Sequence, residues 1–274
     1  MRFHLALALL TAAPLAAAAS DSGPIQDNSF LIEEAYNQEP GVIQHISSFS
    51  QSLRTRAWTS SYTEEWPALG QTHQVSVTVN FAGLEAPGQQ GLGDLALNYR
   101  WQAVGNGEAG VALAPRLTLL VPTGNADAGL GVGGTGIQVN LPLSVALSDR
   151  GTWHVNAGGT YVPSARAAAG GYGGLTSLAV GQSLVWLAHS RFNFLVEVLY
   201  TKTWLGTRGG REQTETLTLN PGIRAAVDVA GGLQIVPGVG VPIGLGPSRG
   251  EVGLLFYLSF EHPFRLAGPT VEHS

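Results

Sequence analysis

The sequence predicts an all-β protein, a transmembrane antiparallel up-and-down barrel of about twelve strands with a short N-terminal periplasmic segment. Three observations lead to this prediction. Apolar and polar residues alternate in many short segments, the connections between these segments vary between short and long, and aromatic residues lie near the segment ends.

Alternation is the primary signal, because successive side chains of a strand point to opposite faces. Residues 137–147 place Ile, Val and Leu at every odd position and Gln, Asn, Pro, Ser and Ala at the even ones. Residues 74–81 and 94–102 repeat the pattern. A barrel wall with lipid outside and water inside requires this arrangement. The predicted strands lie near residues 42–53, 57–66, 71–82, 91–102, 109–121, 135–148, 151–162, 174–187, 191–204, 213–228, 232–243 and 250–262.

The connections supply a second signal, since outer-membrane barrels have short periplasmic turns and longer extracellular loops. Connections after even-numbered strands are mostly short, as at 149–150, and those after odd-numbered strands are mostly long, as at 122–134 and 205–212. An even strand count then puts both chain ends in the periplasm. The aromatic residues expected at the two membrane interfaces are Trp66, Trp101, Trp153 and Trp186 on the periplasmic side and Trp58, Phe81, Tyr161 and Trp204 on the extracellular side.

The chain divides into four stretches. Residues 1–19 pair a basic start with a short apolar core and small residues, as in a cleaved signal peptide, so export to the cell outer membrane is expected. Residues 20–40 form an N-terminal periplasmic segment or a small plug, residues 41–264 the barrel and residues 265–274 a C-terminal tail. The plug is the less favoured alternative, because nothing local requires burial of so short a segment.

Composition excludes several classes of function. The formal charge is -5 and the 14 Lys and Arg residues are scattered, so the basic footprint of a nucleic-acid binder is missing. Cysteine is absent, which removes disulfides and thiolate chemistry. Only 12% of the residues are charged, as suits a lipid-facing exterior, and the 37 glycines suit tight turns. Outer-membrane lipid, and no nucleic acid, is therefore the expected partner.

Three stretches resemble a known family: residues 27–46 (DNSFLIEEAYNQEPGVIQHI), residues 91–95 (GLGDL) and residues 122–124 (PTG). They are similar to the outer-membrane "meta-pathway of phenol degradation" transporter-like family. The resemblance implies a barrel that passes small, often aromatic or apolar, compounds. It supplies no catalytic or binding residues.

The last strand is similar to the terminal signal that the outer-membrane assembly machinery reads, which makes this machinery an expected partner. The pattern is Gly253 followed by Phe256, Leu258 and Phe260 at alternating positions. The chain departs from the usual signal by continuing to Ser274 instead of stopping at an aromatic residue.

Other motifs argue against cofactor or metal chemistry. Residues 124–136 are rich in glycine but lack the Gly-Lys-Ser/Thr ending and the following helix of a phosphate-binding loop. The isolated histidines have no His-Glu-x-x-His pattern and no cysteine partner, so no metal and no cofactor is expected. The chain is not expected to be an enzyme. Its one enzymatic alternative is a hydrolase that would use Ser144, His154 and Asn156.

A channel for small solutes is the predicted function, because the inward faces would carry amides, hydroxyls and mixed charges that suit a hydrated path. A closed structural or adhesive barrel is the second alternative and an outer-membrane hydrolase the third. Glu197 and Arg224 are predicted to form a cross-strand ion pair within about 4 Å. The candidate lumen-lining residues are Asp94, Asn98, Arg100, Arg116, Asn140, His154, Asn156, Glu197, Arg224 and Asp228.

Overall fold

The structure is a computed structural model that describes residues 25, 27–85, 88–166, 171–207, 209–230 and 232–263. The predicted signal peptide at 1–19 and the predicted tail at 265–274 lie outside the described residues. No helix in the described part of the chain is long and apolar enough to cross a membrane.

The described chain is mostly β-structure, in fifteen segments that pair in one antiparallel sheet. The segments are β1 (Val42–Ser52), β2 (Trp58–Ala68), β3 (His73–Gly83), β4 (Gln90–Trp101), β5 (Val111–Leu113), β6 (Arg116–Val121), β7 (Gly136–Ser148), β8 (Gly151–Arg166), β9 (Tyr172–His189), β10 (Phe192–Thr207), β11 (Gly210–Ala225), β12 (Val227–Val229), β13 (Leu233–Gly240), β14 (Ile243–Gly244) and β15 (Gly253–Pro263).

The sheet closes into a barrel because β1 pairs along its whole length with β15. Three wall strands are each built from two consecutive segments: β5 with β6, β11 with β12, and β13 with β14. The barrel therefore has twelve wall strands. The predicted all-β barrel is confirmed, and each predicted strand overlaps one wall strand.

The connection after β10 is shorter than predicted. The sequence predicts a long loop at 205–212, but β10 and β11 stay paired as far as Thr207 and Gly210. The side chains of Glu212 and Gln213 are polar and exposed, which is typical of a loop in sequence. Backbone pairing can continue beyond an apolar belt without apolar side chains, and this hairpin does so.

The outer face of the barrel is apolar. Val139, Leu141, Val180 and Leu184 lie in mid-strand and are 43%, 47%, 55% and 49% exposed. A contiguous exposed belt of this kind suits lipid better than water. The predicted interface aromatics that are also exposed on this face, toward the strand ends, are Phe81, Trp101, Trp153, Tyr161 and Trp186.

The inner face encloses a lumen with two distinct ends. We call the end with the turns at 69–72, 149–150 and 190–191 the short-turn end. The opposite end carries the loops at 122–135 and 245–252, and we call it the long-loop end. The N-terminal segment joins β1 at the short-turn end.

The hydrophobic core lies inside the lumen. Phe30 and Leu31 of the N-terminal segment pack against one buried cluster. Ala35 and Tyr36 of the same segment belong to a second cluster. The core therefore forms between the N-terminal segment and the inner wall. The wall residues in the two clusters are Ala112, Ala114, Ala226, Val236, Leu255 and Tyr257.

Candidate functional site

Residues 27–38, which we call the plug, lie inside the short-turn half of the lumen. This is the alternative that the sequence favours less. A segment this short forms little structure of its own in water, so contacts with the wall must hold it. The plug residues that are at most 5% exposed are Asp27, Ser29, Ile32, Glu34, Ala35 and Asn37.

Side chains of the wall satisfy the backbone donors of the plug. Six backbone N–H groups between residues 31 and 38 donate to wall side chains at 2.7–3.0 Å. A buried amide without a partner costs roughly 1–3 kcal/mol, so the positions of these acceptors determine where the plug lies. The pairs are Leu31 and Ile32 to Glu197, Glu33 to Asn156, Ala35 to Ser144, Asn37 to Gln102, and Gln38 to Gln74.

Two arginines of the wall donate hydrogen bonds to the plug. Arg224 Nη1 donates to the Asp27 carbonyl at 2.8 Å and to Glu34 Oε1 at 3.1 Å. Arg100 Nε donates to Asn37 Oδ1 at 2.8 Å. Both arginines are buried, so these partners replace the water that the guanidinium groups have lost.

The carboxyl group of Asp27 anchors the start of the plug to the wall. Its Oδ1 accepts from the Tyr257 hydroxyl at 2.6 Å and from Gln44 Nε2 at 2.8 Å, and the Ser259 hydroxyl donates to Oδ2. Burial raises the pKa of Asp27 above its ordinary value, against the opposing effect of Arg224 and of these hydrogen bonds. The docked carboxyl group therefore binds a proton more readily than a free aspartate does.

Glycines in the wall make room for two apolar side chains of the plug. A Cβ atom at Gly222 or Gly238 would lie 2.6 or 2.5 Å from the Phe30 ring, and one at Gly181 would lie 2.4 Å from Ile32 Cδ1. A larger residue at any of these positions requires the plug or the wall to move. The wall and the plug therefore have complementary shapes.

The prediction of an ion pair between Glu197 and Arg224 is wrong, because each residue has other partners. The strand register sets Glu197 opposite Asn220 and Arg224 opposite Asn193. Glu197 accepts from Asn220 at 2.7 Å and from the plug backbone, whereas Arg224 pairs with Glu34 at 3.1 Å. Both side chains are buried inside the barrel. The plug supplies partners that the prediction sought on the neighbouring strand.

A third arginine joins the plug to the wall, at a more open position. Arg116 Nε and Nη2 bind the two carboxylate oxygens of Glu33 at 2.6–3.0 Å. Asn98 Oδ1 and Gln138 Oε1 accept from the same guanidinium at 2.8 and 3.0 Å. Burial acts to raise the pKa of Glu33, but the charge and hydrogen bonds of Arg116 outweigh it, so the pKa is lowered.

Two candidate residues do not contact the plug. Asp94 holds the 122–135 loop by accepting from the N–H groups of Gly124 and Val132 at 3.0 and 2.7 Å. Asp228 lies 3.2 Å from Arg191 near the short-turn end. The other candidates, Asn98, Arg100, Arg116, Asn140, His154, Asn156, Glu197 and Arg224, lie on the lumen side in or beside the plug contacts.

The long-loop half of the lumen is open, and its lining combines hydroxyl and amide groups with apolar residues such as Ile46, Leu120 and Leu199. Two cavities of about 370 and 280 Å³ lie on this side of the plug, and residues 31–33 form part of the lining of both. A third cavity of about 350 Å³ lies on the short-turn side, beside Glu34 and Tyr36. The plug therefore separates the cavities of the two ends. Cross-strand hydrogen bonds of 2.6–3.0 Å in the open half join Ser48 to Ser61, Thr63 to Thr78, Gln138 to Thr160, Ser177 to Thr203 and Thr201 to Thr216.

The hydrolase candidates come together beneath the plug. Ser144 Oγ lies 2.7 Å from His154 Nδ1, and His154 Nε2 lies 3.7 Å from Glu34 Oε1. Ser144 and His154 are fully buried, Ser144 Oγ also accepts from the Ala35 N–H, and Asn156 binds the plug backbone. Ser144 and Asn156 thus hold the plug backbone, while His154 also lines the cavity of about 350 Å³ on the short-turn side. Within the described residues, no cluster of His, Cys, Asp and Glu is arranged to hold a metal ion.

Sequence reasoning missed several residues that seat the plug. Gln74, Gln102 and Tyr257 bind it, and three inward-facing glycines accommodate it. A signal for the plug is present in the sequence. Glycines at inward-facing positions, on or next to the strands that carry Glu197 and Arg224, indicate the close approach of another part of the chain.

Comparisons with known proteins identify the fold. No family profile and no curated protein matches the chain. An outer-membrane channel from Pseudomonas putida F1 superposes with a TM-score of 0.58 and 13% identity, over 84% of this chain and 98% of that one. NanC porin gives 0.55 and 8% over 81% and 100%, and KdgM porin in complex with disordered oligogalacturonate gives 0.52 and 8% over 82% and 99%. The similar structures are thus outer-membrane channels and porins, and these identities establish the fold alone.

Proposed function

We propose that the protein is an outer-membrane channel for small solutes that is closed by its own plug. In this proposal the short-turn end faces the periplasm, from which the plug enters. The apolar belt of the barrel supports a position in the outer membrane. The channel and porin folds of the similar structures support it as well.

One observation carries the proposal. The inner wall carries many polar side chains in both halves of the barrel, and the plug is attached to the described wall through hydrogen bonds, ion pairs and packing. No disulfide can fix it, because the chain has no cysteine. When the plug leaves, the side chains that held it, such as Gln74, Gln102 and Asn156, line a path that water can enter.

The side chains that line the long-loop half of the lumen indicate which kind of solute could pass. The resemblance implies aromatic or apolar compounds, whereas the lining of the long-loop half combines many hydroxyl and amide groups with apolar residues such as Ile46, Leu120 and Leu199. These groups form hydrogen bonds with a solute that has polar atoms and offer little to one that has none. The hydroxyl and amide groups therefore favour solutes that carry polar atoms.

A closed structural barrel is the second candidate function. The fit of Phe30 against Gly222 and Gly238 favours it, because a complementary shape also suits a permanent filling. In that case the plug would stabilise the barrel and never leave it.

Conductance separates the two functions. The full-length protein and a variant lacking residues 27–38 are inserted into planar bilayers, and heat-modifiable gel mobility checks that both are folded. We expect low or flickering conductance for the full-length protein and a large steady conductance for the deletion variant. A folded deletion variant without conductance would refute the channel.

A further inference from the structure

The ion pair between Arg116 and Glu33 is the exposed part of the contact between plug and wall. Its side chains are 17% and 28% exposed, whereas those of the pair between Arg224 and Glu34 are 1% and 4% exposed. Arg116 and Glu33 also line both cavities of the long-loop half. A solute that enters from the long-loop end therefore reaches this pair first.

The guanidinium of Arg116 is held in place without Glu33. Asn98 on β4, Thr118 on β6 and Gln138 on β7 all accept hydrogen bonds from it. These neutral acceptors belong to the wall, so they remain when the plug moves. An arginine fixed in this way is prepared to bind a carboxylate through two hydrogen bonds.

We propose that Arg116 binds the carboxylate group of a small polar solute and that this solute opens the channel by displacing Glu33. The carboxylate of Glu33 occupies the site in the closed state. This inference rests on the proposed channel function, and it adds the chemical class of the solute and the way in which the solute is coupled to opening. The hydroxyl groups available to the rest of the solute belong to Ser48, Ser61, Thr78, Thr160, Ser177 and Thr201.

The coupling follows from competition for one guanidinium. A solute carboxylate binds Arg116 well only when Glu33 has left, so it has a higher affinity for the unplugged state. Its binding then shifts the population toward that state by the ratio of the two affinities. The contacts of Arg224 and Glu197 oppose the shift, which keeps the channel closed when no solute is bound.

A single introduced thiol reports the position of the plug. Ser29 is 3% exposed in the docked plug, and Ser29→Cys adds the only cysteine of the chain. The full-length variant in proteoliposomes is treated with a small methanethiosulfonate reagent in sodium gluconate, in sodium chloride or in sodium chloride with glucose, at equal ionic strength. We expect gluconate alone to raise the labelling rate and the conductance, saturably and by a factor of roughly 5 to 150, the usual range of such couplings.

Three further substitutions assign the effect to the site. Arg116→Gln should abolish the response to gluconate, even though it raises labelling in all three solutions. Glu33→Gln should raise basal labelling and lower the half-saturating gluconate concentration, because the competing carboxylate is gone. Arg249→Gln, which removes an exposed arginine at the long-loop end, should leave the response unchanged and serves as the matched control.

The outcomes separate this inference from the channel function. An equal response to chloride or glucose, or a response that survives Arg116→Gln, would overturn the carboxylate site. A plug deletion variant that conducts but shows no gluconate-dependent change in current would overturn the site and leave the channel standing. A deletion variant that binds gluconate through Arg116 without conducting would support the site and refute the channel.

Discussion

The two halves of the lumen are formed by the inward faces of the same strands, but the polar groups of these faces have different partners in each half. In the short-turn half, Arg224 and Glu197 are buried and bind the plug. In the long-loop half, hydroxyl groups such as those of Thr201 and Thr216 bind each other across strands and border open cavities. A polar inner face therefore does not by itself indicate an open path. The path is open where the polar groups of this face bind water, and it is closed where they bind another part of the chain.

The ion pairs of the two halves are also buried to different extents. The pairs of Arg224 and Arg100 are almost fully buried, whereas the pair of Arg116 is partly exposed. A buried pair that loses one partner leaves an unpaired charge in a dry environment, while an exposed pair exchanges its partner for water at little cost. Four comparisons of variants follow, from the largest expected effect to the smallest, and they test the contrast between the halves and between the two faces of the wall.

Arg224→Met should weaken plug docking by about 3–5 kcal/mol, because it leaves Glu34 and two plug carbonyls buried without their donor. The matched substitution in the open half, Arg116→Met, should cost about 1 kcal/mol, since water can replace the guanidinium. Thiol labelling of Ser29→Cys measures both effects. Similar labelling rates in the two variants would contradict the proposed difference between the halves.

Val139→Arg should destabilise the folded barrel by about 2–4 kcal/mol, because it places a charge on the lipid-facing wall. Thr160→Arg lies on the inner face beside an open cavity and should cost much less. Urea unfolding in lipid vesicles compares the two variants. If both lost the same stability, the assignment of the two faces would be wrong.

Gly222→Ala should loosen the plug by about 1–3 kcal/mol, because the added Cβ atom would lie 2.6 Å from the Phe30 ring. Gly209→Ala serves as its control, since a Cβ atom there meets nothing within 4 Å. The thiol-labelling rate should rise in the first variant alone, while the gel mobility of both barrels stays that of the wild type. A tight plug in Gly222→Ala would show that Phe30 does not fill this space.

The contribution of Glu33 should depend on pH and amount to about 1 kcal/mol. Because docking lowers the pKa of Glu33, its contribution is present above the ordinary value of 4.5 and is lost as the pH falls below it. Asp27 acts in the opposite direction, since docking raises its pKa. The difference in labelling between wild type and Glu33→Gln, both carrying Ser29→Cys, removes the effect of Asp27. That difference should shrink as the pH falls below 4.5, and a constant difference would contradict the proposed role.

The strands could be predicted from the sequence because alternation is local. Residues 137–147 reveal their two faces without reference to any other part of the chain. The plug could not be predicted in this way, since four of its six bonded amides find acceptors on strands more than a hundred residues away, as in the bond from Leu31 to Glu197. The same limit explains the error for Glu197 and Arg224. Their faces follow from alternation, but their partners depend on a segment with no regular period.

Hydrogen exchange of the plug amides tests the central claim most directly. The folded full-length protein in lipid is exposed to deuterated water, and the peptide that covers residues 27–38 is followed by mass spectrometry. If the plug is docked, the amides of Leu31, Ile32, Glu33 and Ala35 should exchange far more slowly than those of a free peptide, because wall side chains accept their hydrogen bonds. Glu197→Ala should remove the protection of the first two. Exchange of the whole segment at the rate of an unstructured chain would contradict a docked plug and would support a free periplasmic leader.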